Sequence, residues 1–251
     1  MSGHSKWSTI KHGKAVSDAR RGKLFTRLTR EIIAAVSQGG NDPDMNFRLR
    51  MAMQRAKDNN MPSGNVERAI KRASGDGDDA VQLTETTYEG YGPGGTAILL
   101  QVLTDNKNRT VSEVRSTFSK AGGNMSEAGS VAWQFQQRGV INVETTQDQA
   151  DDITLAAIDA GAEDFESFDT VLSIYSPPES LESLRTTLAQ YGAQLRSSEL
   201  SMVATNTVSL DEKSAMSTLR LLDQLEELDD VQKVFSNADF PDEVLDRYSA
   251  E

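Results

Sequence analysis

Cysteine is absent from the 251-residue chain, which excludes disulfides, thiolate catalysis and Cys-ligated zinc. Histidine occurs twice, as His4 and His12, and no third ligand stands close enough in sequence to complete a metal site. No apolar run approaches the ~20 residues that span a bilayer. Nor does an apolar segment follow the N-terminal basic residues, as it would in a signal peptide. Positive charge is scarce over most of the chain. Residues 76–251 hold 11 Lys and Arg against 32 acids, a net of −21. Residues 1–75 hold 15 against 6, a net of +9, so the total of −12 conceals a reversal of sign. That asymmetry implies a module that binds a polyanion, joined to an acidic body that repels one.

The reversal is sharpest at the front. "MSGHSKWSTIKHGKAVSDARRGKLFTRLTR" carries eight Lys or Arg and a single acid, Asp18. Lys6, Lys11, Lys14, Arg20, Arg21, Lys23, Arg27 and Arg30 are candidates for phosphate contact, with His12 as a further donor. Trp7 stands among them, suited either to stack on an unpaired base or to pack against the helical segment.

The first 16 residues read as an arm without helical periodicity. A helix is expected from Asp18 to Val36, with Leu24, Leu28, Ile32 and Ala35 inward and Arg20, Lys23, Arg27 and Arg30 on the far face. A second, opened by Pro43, is expected over Asp44–Asn59, with Arg48 and Arg55 along one flank. A third is expected after an Asn65 cap, with Arg68 and Arg72 outward and Gly75 as its stop. So read, "DNNMPSGN" separates the last two helices, long for a helix-turn-helix. Residues 76–87 read as a linker.

Beyond the linker, strands alternate with helices. Strands are expected at 96–104, 130–137, 139–144, 162–168, 170–176, within 197–210 and at 231–237. Helices are expected behind a Thr110/Glu113 box, a Thr146/Gln149 box, a Ser176/Glu179 box and an Asp211 cap. The units parse as one split βαβ domain (88–137 plus 204–240) holding another (138–203), then a tail at 241–251. "GYGPGG" (90–95) imitates a dinucleotide fingerprint, but it precedes a strand instead of opening a helix, and a tight loop accounts for it better. "TDNKNRT" (104–110) lies at a strand-to-helix junction where Lys107 and Arg109 would assist a secondary anion site; plain capping is the competing reading. No arrangement of carboxylates, serines and histidines stands out as catalytic.

"GHSKWSTIKHGKAVSDARRGKLFTRLTREI", "MPSGNVERAIKRASG", "YEGYGPGGTAILLQVLTDNKNRTVSEVRSTFSKAGGNMSEAGSVAWQF" and "VQKVFSNADFP" closely resemble the YebC family. That family includes the mitochondrial translational activator of cytochrome c oxidase. The resemblance spans essentially the whole chain. It implies an α+β fold: an N-terminal three-helix domain followed by two ferredoxin-like βαββαβ domains, one inserted in the other. It implies a non-enzymatic regulator of gene expression, a DNA-binding transcriptional regulator or alternatively a translation factor associated with ribosomal RNA. No catalytic, cofactor or metal residue is expected, and no membrane or small-molecule partner. A cytoplasmic bacterial member without a mitochondrial leader, monomeric or weakly oligomeric, completes the expectation.

Overall fold

The four-residue recurrence of Leu24, Leu28 and Ile32 is realised in α1 (Asp18–Gly39). In this computed structural model, which describes Trp7 and residues 18–75, 83–168 and 170–250, two compact units are distinguished. The first comprises Lys14–Val131 and Met216–Val234, the second Ala132–Ala215 and Phe235–Glu251 with Trp7.

In the first unit α1 packs against α2 (Phe47–Asp58) and α3 (Ser63–Ala73) around Leu28, Ile32, Leu49, Ala52, Ala56 and Ala69. Both later helices depart from the expected starts. Pro43 lies in the preceding turn, and Asn46 is the cap of α2, its Oδ1 accepting from Leu49 N at 3.0 Å. The same amide donates to the carbonyls of Ala35 and Gly40, both at 2.8 Å, which ties the end of α1 to the start of α2. α3 begins two residues before Asn65, behind Pro62. Asn60, at φ 55°, stops α2. Its N–H reaches Lys57 O and Met61 N–H reaches Ala56 O, the paired bonds of a Schellman motif with asparagine in glycine's usual place.

A four-stranded sheet completes this unit: β1 (Thr84–Tyr91), β2 (Ala97–Thr104), β3 (Asn124–Ser126) and β9 (Val231–Ser236), in the spatial order β3-β1-β2-β9. β1 and β2 form an antiparallel hairpin, with Tyr88 opposite Leu100. Thr84–Thr87, expected in the linker, are the first half of β1. They alternate polar residues without an apolar face, so periodicity does not reveal them. α4 (Lys107–Lys120) follows β2 and α7 (Glu212–Glu226) precedes β9; Val114, Phe118, Leu219 and Leu222 are buried. The glycines of "GYGPGG" serve the hairpin. A Cβ on Gly90 would lie 2.6 Å from the Asn124 carbonyl oxygen across the β1–β3 pair, and Gly94 turns the chain at φ 72°.

The second unit carries β4 (Phe135–Glu144), α5 (Gln147–Asp159), β5 (Asp164–Phe168), β6 (Val171–Ser176), α6 (Leu181–Gln190) and β7 (Gln194–Ala204). That βαββαβ succession folds into an antiparallel sheet ordered β5-β6-β4-β7. β4 is one strand where two were expected at 130–137 and 139–144, because Ala132–Gln134 form a 3-10 turn and pairing with β7 runs unbroken past Gly139. Ile141, Val143, Ile174, Leu184 and Leu188 make its core. The expected boxes at Thr146 and Ser176 do not form. Thr146 makes no side-chain cap, and the Ser176 hydroxyl donates to Pro177 O. Asp211 does cap α7, accepting from Ser214 N at 2.7 Å. β8 (Val208–Ser209) pairs in parallel with β10 (Ala238–Asp239). The expected tail is α8 (Asp242–Ala250), which buries Val244 and Leu245.

Candidate nucleic-acid interface

The cations singled out in sequence divide into those fastened inside the first unit and those facing water. Arg55 Nη1 donates to both oxygens of Glu31 at 2.9 Å, and Arg48 donates to Glu85 at 2.9 Å. Arg30, the last rung of the α1 stripe, donates to Asp230 Oδ1 and, at 2.9 Å, to Leu103 O. Lys23 Nζ lies 3.3 Å from Glu227 O. The α1 stripe is therefore bound to β2 and to the turn between α7 and β9 along part of its length.

Asp230 is the centre of that attachment. Its side chain is 2% exposed, and it accepts from Thr110 Oγ1 at 2.6 Å and Arg109 Nη2 at 2.9 Å besides Arg30. Thr104 stands 3.2 Å from the carboxylate and 2.8 Å from the Thr110 hydroxyl. Burial alone would raise the pKa of Asp230. The bonds from Thr110, Arg109 and Arg30, with the charge of Arg30, prevail and hold it at about 2. The same carboxylate adds to burial in raising the Tyr88 phenol.

The "TDNKNRT" turn accordingly reads as capping and pairing. Asn106, not Thr110, caps α4, accepting from Arg109 N at 3.1 Å. Thr110 is buried with its hydroxyl on Asp230, and Arg109 is shared between Asp230 and Asp105, the latter at 2.7 Å. The hydrogen bonds it donates to Asp230 and Asp105 raise its pKa further above the already high arginine value. Lys107 remains exposed beside it.

α3 carries its cations differently. Arg68, Lys71 and Arg72 are all exposed, alongside Ser63, Gly64 and Glu67. Arg68 Nε donates to Gly64 O at 3.0 Å and its Nη2 to Asn65 Oδ1, which holds the guanidinium over the first turn. On α1, Arg21 and Lys23 are exposed and Arg27 is half-buried. Lys57 and Arg50 are exposed on α2; the Arg50 guanidinium lies 5.5 Å from the centre of the Phe47 ring. The link between α2 and α3 is four residues, Asn59–Pro62, half the expected length and within the range of a helix-turn-helix.

Lys6, Lys11, His12 and Lys14 lie outside the described residues, as does the side chain of Arg20. Trp7 is 3% exposed, which leaves no ring face open to a base. Among the described residues no group of His, Asp and Glu is arranged to hold a metal, and no helix is long and apolar enough to cross a membrane. Asp230 carries no sequence signal: it stands in "ELDD", one acid among several, and only the fold brings Arg30 and Arg109 to it.

The fold is thus that of an α+β protein: N-terminal helices with a cationic surface, then two four-stranded antiparallel sheets. The chain belongs to the TACO1/YebC family: residues 5–76 match its N-terminal domain and residues 83–238 its second and third domains. It is 53% identical over 251 residues, the whole of both chains, to a probable transcriptional regulatory protein of Dehalococcoides mccartyi. Another so named, from Halothermothrix orenii, is 46% identical over 254 residues, again with full coverage of both. Among solved structures, the conserved hypothetical protein Aq1575 from Aquifex aeolicus superposes with a TM-score of 0.82 at 41% identity, covering 92% of this chain and 97% of that one.

Proposed function

We propose that this protein is a non-enzymatic regulator of gene expression that acts by binding DNA, and that α3 with the outward face of α1 forms the contact surface. The observation that carries this reading is the exposed row Arg68, Lys71 and Arg72 on a helix that follows a four-residue turn. A recognition helix reached by such a turn presents its N-terminal residues to base edges and its cations to phosphates. Arg68 sits in the first two turns, where a base-reading guanidinium belongs. Lys71, Arg72, Arg27 and Arg21 supply charge without sequence content. The name carried by the full-length relatives, probable transcriptional regulatory protein, agrees with this role. Lys6, Lys11, His12 and Lys14 of the basic arm add cations for phosphate, and Lys107 is a secondary phosphate contact.

The test is duplex binding by the full chain across a salt series. Neutralising about six phosphates gives a slope of log K against log[salt] near −5. Arg68→Gln, Lys71→Gln and Arg72→Gln together reduce that slope by about 1.8, at ~0.9 for each of the two phosphate contacts, while the loss of Arg68 relaxes sequence preference. A triple variant with unchanged slope refutes the assignment to α3. Sedimentation of lysate separates the alternative: co-migration with ribosomes, abolished by RNase, assigns the surface to ribosomal RNA and translation.

A further inference from the structure

Between Arg138 and Arg185 the chain runs 46 residues without one basic side chain and with eleven acids. α5 lies within this stretch, and its outward side is not uniformly polar. Leu155 is 62% exposed and Ile158 50%, three residues apart on one helical face, while Ile153 and Ala157 point into the core. Exposed Asp151, Asp152 and Asp159 flank the pair. Beside α5 is a depression of about 520 Å³ whose lining includes Thr146, Gln149, Asp152, Tyr191 and Gln194. Tyr191, just past α6, is 56% exposed. Glu144 also lines the depression but is committed to Arg196, bonded at 3.0 and 3.2 Å, which lowers its pKa. Asp152 is the carboxylate that remains for an incoming group.

An apolar pair ringed by acids excludes a nucleic acid, whose phosphates the surface repels. It suits a polypeptide with the reverse pattern. An aromatic ring beside a carboxylate and two side-chain amides is the environment in which a guanidinium stacks and pairs at once. We propose that this face of the second unit docks a basic protein segment. One of the segment's arginines enters the depression against Tyr191 and Asp152, while its apolar side chains lie on Leu155 and Ile158. The protein then has two recognition surfaces of opposite sign, one for a phosphate polymer and one for a cationic protein. This second surface does not depend on which nucleic acid the first unit binds.

The experiment uses the full chain and a fluorescein-labelled amphipathic peptide of arginine and leucine, its leucines spaced three and four apart. Two controls accompany it: a scrambled peptide of identical composition, and the ordered peptide with lysine replacing arginine. The ordered arginine peptide is expected to bind about tenfold tighter than either control in anisotropy titrations, a difference typical of a partly exposed anchor. Leu155→Ser with Ile158→Ser abolishes the preference over the scrambled peptide. Tyr191→Ala with Asp152→Asn abolishes the preference over lysine. All four residues are exposed, so the unfolding midpoint stays put; Leu155→Gln alone serves as a milder second variant. Equal affinity for ordered and scrambled peptides overturns the proposal, since attraction is then charge alone. Variants that leave both preferences intact place the binding elsewhere and overturn it too. Self-association of the unliganded protein that Leu155→Ser with Ile158→Ser removes would assign the face to a second copy, and also overturns it.

Discussion

At Asp230 two arginines and a threonine converge on one carboxylate that is nearly sealed from water. Its pKa of about 2, against 3.8 for the free side chain, makes the native state bind that proton less readily than the unfolded chain. The stabilisation is fully present above pH 4 and disappears as pH falls through 2, and its size is about 2 kcal/mol. Urea midpoints measured from pH 6 to 2 should therefore drop mainly below pH 4. Asp230→Asn should flatten part of that drop and cost about 2–3 kcal/mol at neutral pH, because Arg30 then lacks its counter-charge. An unaltered pH profile in the variant would show that other carboxylates govern acid unfolding. Arg27 and Arg30 offer a paired comparison. Arg27→Gln is expected to reduce the salt slope of DNA binding by ~0.9 without moving the melting temperature. Arg30→Gln is expected to do the reverse, lowering stability by about 1–2 kcal/mol and leaving the slope intact.

Helices whose faces are marked by apolar recurrence were readable in the chain itself. α1 has Leu24, Leu28, Ile32 and Ala35 on one side, and α7 has Asp211 as its cap. Starts and stops were harder to place. Asn60 in the left-handed region ends α2, and Asn46 caps it while bonding back to α1. Asn46 works partly through carbonyls that the end of α1 brings close, and Asn60 through a left-handed φ that asparagine adopts only occasionally. The link between α2 and α3 is shorter than expected because α3 starts at Ser63, behind Pro62, instead of after Asn65. Replacing Asn46 with alanine removes one cap and two bonds to carbonyls. It should cost about 2–3 kcal/mol in chemical denaturation, and a cost below ~0.5 kcal/mol would show that the α1–α2 corner holds without it.

Taken whole, the chain segregates its exposed charge between the two units. Cations on α1 and α3 of the first unit face water, and acids on α5 of the second face it too. The consequence is two salt responses of very different size on one molecule. Raising salt from 50 to 200 mM at a slope near −5 should weaken DNA binding by ~10³-fold. Peptide binding at α5, held partly by Leu155 and Ile158, should weaken by no more than ~tenfold, since apolar contact is not screened. Parallel titrations at both salts read this directly. An equal loss for both ligands would mean that α5 contributes charge alone.

Charge segregation and apolar period are properties of residues within a few positions of one another. They point to the front of the chain as the proposed polyanion contact, and the α+β composition was legible with them. Pairing is a different matter. Arg30 and Asp230 stand 200 positions apart, and nothing local distinguishes Arg30, which is bound inward, from Arg27 one turn away. Trp7 looked equally fit for stacking or packing until its burial was known. Which cations reach solvent, and which acid holds the others, depended on how a long chain closed upon itself, since a buried charge must find its opposite wherever the fold supplies one.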